Sequence, residues 1–211
     1  MKILNLYAGI GGNRKAWANA DVTAVEYNPD IAAVYAELYP QDTVIIADAH
    51  SFLLEHFDAY DFIWSSPPCQ SHSSMRQNLA VRFRGTPPEY PDMKLYQEII
   101  FLKYNFRGLW CVENVLPYYE PLIPPTATLQ RHLFWSNFAI TPLETPKDKL
   151  RSAQIDDLQA HTGIDLSKYQ LPNKRQILRN CVYPALGAHI LKCATARRNT
   201  ETRQQMGLLF A

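Results

Sequence analysis

The rest of this chain is organised around the stretch Tyr60-Asp61-Phe62-Ile63-Trp64-Ser65-Ser66-Pro67-Pro68-Cys69-Gln70-Ser71. Its apolar, aromatic first half predicts a buried strand, and the two prolines after it prevent that strand from continuing. Cys69 is therefore expected at a rigid strand end, where open α/β sheets bind their ligands. A lone cysteine is more often a small buried core residue, so the other strand ends must decide between the two readings.

Composition describes an ordinary globular protein. The chain has 211 residues, of which 47% are hydrophobic and 19% charged, enough for one domain with a small appendage. No apolar run approaches the roughly 18 to 20 residues that span a bilayer, and the N-terminus does not resemble a signal peptide, which predicts a cytoplasmic protein. The four cysteines are widely and irregularly spaced, so we expect free thiols and neither a disulfide framework nor a metal site.

Charge is distributed unevenly along the chain. Residues 1–146 carry 10 Lys/Arg against 15 Asp/Glu, whereas residues 147–211 carry 11 against 5. A basic segment fits a polyanionic partner, although a solvated basic surface would give the same composition.

Strands and helices alternate in the first half of the sequence. The pattern predicts strands at 2–7, 22–25, 44–47 and 60–64, and helices at 13–20 and 29–38. Such alternation favours a parallel sheet with right-handed crossovers. Its strand ends carry a glycine-rich turn at 8–12, then Glu26, then Asp48. The turn allows close backbone approach to a ligand, Glu26 is placed for ribose hydroxyls, and Asp48 for an adenine amine. An exposed turn glutamate is the alternative for Glu26.

The second half continues the sheet and then becomes irregular. Residues 71–92 predict a long polar loop whose arginines suit phosphates, followed by a helix at 93–106 and a strand at 109–112 that ends in Glu113-Asn114-Val115. Prolines make 116–125 a stiff connector. Beyond it we predict a strand pair at 131–134 and 138–141, a helix at 153–161 and a closing helix at 181–192.

Taken together, these motifs resemble those of the cytosine-C5 DNA methyltransferases. Tyr7-Ala8-Gly9-Ile10-Gly11-Gly12 resembles the turn that cradles S-adenosylmethionine, and Pro67-Pro68-Cys69-Gln70 the nucleophile motif. Glu113-Asn114-Val115 resembles the motif whose glutamate engages cytosine. Arg131 looks like one arginine of the Gln-x-Arg-x-Arg motif, and Asn180-Cys181-Val182-Tyr183-Pro184 resembles the late motif beside the cofactor.

The resemblance implies a Rossmann-like, S-adenosylmethionine-dependent methyltransferase sheet with a small target-recognition region. The implied divisions are a catalytic and cofactor-binding domain at 1–141, a recognition region at 142–178 and a returning segment at 179–211. The implied catalytic residues are Cys69, Glu113, Arg131 and Asn114. The implied cofactor residues are Tyr7, Ala8, Gly9, Ile10, Gly11, Gly12, Glu26, Asp48, Pro67, Asn180 and Val182.

The implied substrate is double-stranded DNA in a prokaryotic or phage setting, where a cognate restriction endonuclease is a further candidate partner. Expected nucleic-acid contacts are Gln70, Ser71, Ser73, Arg76, Arg82, Arg84, Lys174 and Arg175. Lys147, Lys149, Arg151 and Lys168 are expected to neutralise phosphates as well.

Cytosine chemistry assigns a role to each catalytic residue. Carbon 5 is a poor nucleophile, so the Cys69 thiolate must first add to carbon 6. The addition requires a proton at N3, for which we expect Glu113 to have a raised pKa. Arg131 would hold the base carbonyl and Asn114 would brace the loop. Because a base in a duplex is stacked, it must first be flipped out.

The sequence departs from the family pattern in three places. Leu129 stands where an arginine is usual, Arg179 stands where glycine is usual, and only about 40 residues remain for target recognition, which favours a short target. Two alternatives stay open, an RNA (tRNA) cytosine-C5 methyltransferase and a non-catalytic nucleic-acid-binding relative. A nicotinamide dehydrogenase is disfavoured because no Gly-x-Gly-x-x-Gly spacing appears.

Overall fold

The computed structural model describes residues 1–144 and 153–209, with side chains described up to residue 198. Lys147, Lys149 and Arg151 therefore lie outside the described residues. The described strands form one sheet in the order β3-β2-β1-β4-β5-β7-β6. They are β1 (Lys2–Leu6), β2 (Asp21–Glu26), β3 (Thr43–Ile46), β4 (Phe62–Ser65), β5 (Leu109–Val115), β6 (Ala127–Leu129) and β7 (His132–Ser136).

The first five strands are parallel, while β7 runs antiparallel to both of its neighbours. The chain builds β1, β2 and β3 outward in one direction and then returns to place β4 on the other side of β1. Strand order reverses at this point, and the crevice beyond such a reversal is where doubly wound sheets bind ligands. The predicted Rossmann-like α/β fold is confirmed.

Helices cover both faces of the sheet. The α-helices are α1 (Pro29–Leu38), α2 (Ala49–His56), α3 (Lys94–Asn105), α4 (Ile155–Thr162), α5 (Lys174–Asn180) and α6 (Pro184–Leu209). On one face, Trp64 and Phe134 pack with Leu186 and Ile190 of α6. On the other face, side chains of β1, β4 and β5 pack with α2 and α3. Strands buried on both faces explain why β4 is a continuous apolar run.

Two predicted elements are wrong in the neighbourhood of the glycine-rich turn and of Cys69. Residues 13–20 form only a single 3₁₀ turn (Arg14–Ala16), which packs against α6. An added Cβ at Gly187 of α6 would lie 2.3 Å from the Asn13 carbonyl oxygen. The predicted irregular loop contains instead a π-helix (Arg76–Phe83), a rare conformation that is frequent at functional sites.

The strand predicted at 131–134 corresponds to β7, but its predicted partner at 138–141 is not a strand. The hairpin joins β6 to β7 through Gln130 and Arg131, and Gln130 has a φ of 54°. A two-residue connection of this kind fixes the register of β7 against β6. On its other side β7 pairs with β5, so that β7 lies between β5 and β6.

The segment after residue 153 packs beside the cofactor turn. Leu158 and Ile164 form a small core with Ile10 and with Val34 of α1. The boundary predicted at residue 178 falls inside α5, a helix that sequence analysis did not identify, as it did not identify α2. No helix in the described part of the chain is long and apolar enough to cross a membrane.

Candidate active site

A cavity of about 440 Å³ opens at the carboxyl ends of β1, β2, β4 and β5. This volume lies within the range of small-molecule sites in proteins. It is lined by most of the residues expected to bind cofactor or to catalyse: Tyr7, Ala8, Gly9, Ile10, Gly12, Glu26, Asp48, Pro67, Cys69, Glu113, Arg131, Asn180 and Val182. Gln70, expected to contact nucleic acid, lines it too.

The glycine-rich turn gives one wall of the cavity its shape. Tyr7, Gly9 and Gly11 all have positive φ, at 55°, 55° and 77°. A Cβ added at Gly9 would meet no atom within 4 Å, so the cavity at this point is bounded by bare backbone. Gly11 does not line the cavity, because it packs against the rings of Tyr35 and Tyr39. Its role is to let the turn lie close to α1.

Glu26 ends β2 with its carboxylate fixed by backbone. Its Oε2 accepts from the Gly9 N–H at 2.9 Å, and its Oε1 accepts from the Asn28 N–H at 2.9 Å. Each carboxylate oxygen has further lone pairs, so the group can still accept from two ribose hydroxyls. The bare wall at Gly9 and this oriented carboxylate together fit a nucleoside-containing cofactor.

Asp48 has a structural role in addition to lining the cavity. It is the N-cap of α2, and its Oδ1 accepts from the Ser51 N–H at 2.9 Å and from the Ser51 hydroxyl at 3.0 Å. The backbone hydrogen bond from Ser51 lowers the pKa of Asp48. Lys94 Nζ lies 3.8 Å from its other oxygen. Asp48 is thus an ionised acceptor, as contact with an adenine amine requires.

The late segment lies against the glycine-rich turn. An added Cβ at Gly12 would lie 2.7 Å from both the Cys181 Cβ and the Val182 carbonyl oxygen. This close approach places Asn180 and Val182 at the cavity wall. Residues far apart in sequence thereby complete one wall.

Cys69 follows β4 in a tight turn, its carbonyl accepting from the N–H groups of His72 and Ser73 at 3.1 and 3.0 Å. Burial, with the nearby charge of Glu113, raises the pKa of the thiol to about 11, against the opposing charge of Arg131. In the free protein the sulfur is therefore a thiol at neutral pH, and the positive charge of Arg131 is the described group that favours the thiolate.

The pKa of Glu113 is shifted in the opposite direction from the one expected from the sequence. Burial by itself would raise its pKa, but the charge and hydrogen bond of His132, with contributions from Ser66 and Arg131, lower it instead. His132 Nδ1 is hydrogen-bonded to Glu113 Oε1, and the two residues are 3% and 6% exposed. The expected raised pKa is therefore wrong for the free protein, since the carboxyl is paired with an imidazole.

Arg131 and Asn114 support the loops around this pair. Arg131 Nη2 donates to the Arg179 carbonyl at 2.7 Å, which ties the β6–β7 turn to α5. Asn114 does not line the cavity. It is buried, and its Nδ2 donates to the Pro67 carbonyl at 3.0 Å, so that β5 braces the loop that carries Cys69.

A buried carboxylate on α3 joins both sides of the cavity. Glu98 is fully buried, and it accepts from the Tyr7 hydroxyl and from the Ser65 hydroxyl, each at 2.5 Å. His50 Nδ1 of α2 lies 2.9 Å from it. The end of β1, the end of β4 and the start of α2 are thus fixed to one group.

The expected nucleic-acid residues are divided between two places. The 71–92 segment is closed at its base, where the Asp92 N–H donates to the Ser71 hydroxyl at 2.9 Å, and Ser73 accepts from the Arg76 N–H at 3.3 Å. Arg76 is paired with Glu89 at 2.5 Å, while Arg82 and Arg84 are exposed. On α5, Lys174 and Arg175 donate to the Ser167 and Ala153 carbonyls.

Among the residues that line the cavity, sequence analysis gave no role to Asp92, Lys94 or His132. Asp92 accepts from the Lys94 N–H at 3.0 Å at the start of α3, and an acidic residue before a helix was an available signal. His132 had none, because its pairing with Glu113 depends on the register of β7. Within the described residues, no group of three or more His, Cys, Asp or Glu side chains is arranged to hold a metal ion.

Comparison with solved structures returns several methyltransferases. The chain is 26% identical to DNMT2 of Spodoptera frugiperda over 54% of this chain and 35% of that one, with a TM-score of 0.37. It is 21% identical to an Escherichia coli prophage protein described as a DNA modification methyltransferase, over 57% of this chain and 33% of that one, with a TM-score of 0.39. For methyltransferase yhhF of Escherichia coli the identity is 16%, over 64% of this chain and 73% of that one, with a TM-score of 0.42.

A search of curated proteins finds no match. A family model does match, over residues 1–86, which include the glycine-rich turn, Glu26, Asp48 and Cys69 but not Glu113 or Arg131. The match supports a methyltransferase specific for carbon 5 of cytosine, and it implies S-adenosyl-L-methionine as the methyl donor. The resemblance of the motifs within residues 1–86 is thus confirmed by a match to the family described as C-5 cytosine-specific DNA methylase.

Proposed function

We propose that this protein methylates carbon 5 of cytosine in DNA through a covalent Cys69 adduct on a flipped base. The observation that carries the proposal is the convergence of Cys69, Glu113 and Arg131 in one cavity with the glycine-rich turn and Glu26. A thiol, a buried carboxyl and a guanidinium are the groups that addition to a pyrimidine ring requires. S-adenosylmethionine, when bound, supplies the methyl group.

The chain's own residues perform the remaining steps. The Cys69 thiol gives its proton to a water molecule as its sulfur bonds to carbon 6, while Glu113, which takes up a proton as the base binds, transfers that proton to N3 and receives it back when the product forms. Electron density from the carbon 5–carbon 6 double bond then makes carbon 5 nucleophilic. After methylation, a water molecule removes the carbon 5 proton, the double bond re-forms, and the carbon 6–sulfur bond breaks to release Cys69.

Positive charge and backbone position would control these steps. Arg131 lies near both Cys69 and Glu113, where it favours the thiolate and can hold the base carbonyl. Asn114 donates a hydrogen bond to the Pro67 carbonyl and thereby fixes the position of the loop that carries Cys69. The exposed Arg82 and Arg84, in the segment that follows Cys69, are available for phosphates.

Two measurements test the proposal. Bisulfite sequencing of DNA from cells that express the protein reports activity and target sequence together. In vitro, a duplex containing 5-fluorocytosine should form a covalent complex in the presence of cofactor, because fluorine cannot leave as a proton does. The same assay with tRNA separates the DNA substrate from the RNA substrate.

The outcomes are distinct. Trapping on tRNA but not on duplex DNA would replace the DNA assignment with the RNA alternative. Failure to trap on either nucleic acid, with cofactor binding shown by calorimetry, would favour the non-catalytic relative.

A further inference from the structure

Arg179 lines the cavity, yet the proposed catalytic steps do not use its side chain. It is the penultimate residue of α5, at a position where glycine is usual in the family that the motifs resemble. Its backbone has a structural role, because its carbonyl accepts from Arg131 Nη2 at 2.7 Å. A glycine would offer the same carbonyl, so this contact does not account for the guanidinium.

The guanidinium of Arg179 is held by a weak acceptor. Its Nη2 lies 3.1 Å from the Met75 sulfur, and a thioether accepts hydrogen bonds poorly. Both side chains are half-buried. Within the residues whose side chains are described, no carboxylate forms an ion pair with Arg179. A phosphate oxygen, which carries charge, would be a much stronger acceptor than this sulfur.

Two further positive charges act on this guanidinium. Burial, with the charges of Arg175 and Arg131, lowers the pKa of Arg179. Arg131 also acts on Cys69 and on Glu113, while Arg175 is exposed one turn away on α5. The three arginines therefore lead from the catalytic groups to the surface. An anion bound to Arg179 would offset their mutual repulsion.

Two anions are candidates for this part of the cavity, the carboxylate of the cofactor and a phosphate of the target strand. The cofactor is expected at the glycine-rich turn, where Gly12 lies against Cys181 and Val182. The Arg179 side chain instead contacts the segment that follows Cys69. A flipped nucleotide whose base reaches Cys69 brings its own phosphates to this side of the cavity, so the position favours the phosphate.

We propose that Arg179 binds a phosphate that directly flanks the target cytosine, and that its guanidinium exchanges the Met75 sulfur for a phosphate oxygen when the base enters the cavity. The inference rests on the proposed function and adds a substrate-binding residue to it. Because the contact is to the backbone of the strand, it holds the target nucleotide without reading the sequence.

The test measures binding of a duplex that carries the methylated site found by bisulfite sequencing, with the demethylated cofactor present so that no turnover occurs. The two phosphates that flank the target cytosine are replaced, one at a time, by a neutral methylphosphonate. For wild type, we expect one replacement to raise Kd about tenfold. R179M, which keeps the length of the side chain without its charge, should raise Kd about tenfold on the unmodified duplex. The same replacement should then cause no further loss in R179M, because the contact is already absent.

Salt dependence gives a second readout. The slope of log K against log salt should flatten by about 0.9 in R179M, and R179K should restore it, because lysine keeps the charge. The matched control is R107M, which removes an exposed arginine just before β5, at the sheet edge opposite the cavity. R107M should bind the duplex with the slope and the Kd of wild type.

A methylphosphonate effect of equal size in R179M and wild type would overturn the inference. So would an R179M protein that binds duplex normally but S-adenosylmethionine about tenfold more weakly, because its guanidinium would then belong to the cofactor carboxylate. If R179M does not fold, R179Q serves in its place with the same expected results. If wild type binds no duplex, the proposed function fails and this inference fails with it, whereas normal binding by both wild type and R179M overturns the inference alone.

Discussion

The two halves of the cavity are built from different materials. The half at the ends of β1, β2 and β3 is shaped by backbone: positive-φ residues, a carboxylate held by two N–H groups and a helix N-cap. The half at the ends of β4, β5 and β7 consists of side chains that act on one another, Cys69 with Glu113 and Glu113 with His132. The folded backbone fixes the geometry of the first half, whereas the properties of the second half also depend on the protonation states of its side chains.

The difference gives each half its own sensitivity. We call the half at the ends of β1, β2 and β3 the cofactor half. Changes there should alter the affinity for cofactor with little effect on the rate at saturating cofactor. Changes in the other half should alter rate with little effect on cofactor affinity.

The sharpest test of this division is C69S. A hydroxyl is a far weaker nucleophile than a thiolate, so we expect methyl incorporation to fall by roughly 10⁴-fold or more, while cofactor affinity stays within about twofold. Methyl-transfer assays and calorimetry measure the two quantities, and C193S is the matched control on α6. Turnover close to that of wild type in C69S would remove the nucleophile assignment.

The corresponding change in the cofactor half is E26Q. The variant loses a charged acceptor for ribose hydroxyls, which costs about 1.5 to 3 kcal/mol, or roughly 10- to 150-fold in Kd for S-adenosylmethionine. The rate at saturating cofactor should be almost unchanged. The exposed Glu55 supplies the control E55Q. An unaltered Kd in E26Q would show that Glu26 does not contact the cofactor.

Glu98 accepts hydrogen bonds from Tyr7 in one half and Ser65 in the other. The main effect of E98Q should therefore be on the stability of the folded protein. Removing a buried charged acceptor of two hydroxyls should cost about 1 to 3 kcal/mol in the free energy of unfolding, measured with urea. The hydrogen bond to Glu98 raises the pKa of His50 in the folded protein. The stability due to His50 is therefore fully present below its unfolded pKa and is lost as pH rises through its folded pKa.

The excess stability of wild type over E98Q should accordingly be larger at about pH 5.5 than at about pH 8.5. H50Q alone should remove this pH dependence while keeping most of the stability. A difference between wild type and E98Q that does not change with pH would mean that His50 is not coupled to Glu98.

The smallest effect is expected outside the cavity, in K174A/R175A. If both side chains neutralise phosphates, the slope of log K against log salt should flatten by up to about two units, since each contact contributes about 0.9. Affinity should fall alike for all sequences, and the methylated sites should stay the same. Because both side chains donate to backbone carbonyls in the free protein, the change can be smaller. An unchanged slope with a changed set of methylated sites would instead mean that these residues read bases.

The sequence by itself determined the order of the strands from β1 to β5, the helices α1 and α3 between them, and the identities of the groups at the strand ends. Apolar runs, a glycine-rich turn and a proline pair are local signals, and parallel strands necessarily bring their carboxyl ends to one edge. For this reason the pattern of residues alone was enough to assign Glu26, Asp48, Cys69 and Glu113 to one cleft.

Only the tertiary structure decided what those groups contact. The pairing of Glu113 with His132 follows from the antiparallel register of β5 and β7, which sets Glu113 opposite Phe134 and Val115 opposite His132. Where a helix was predicted at 13–20, the structure has a 3₁₀ turn preceded by Asn13, whose backbone packs closely on Gly187 of α6, a residue distant in sequence. Both results depend on contacts between remote segments, and a local pattern carries no record of them. The pKa of Glu113 was mispredicted for the same reason, because the charge that lowers it comes from another strand.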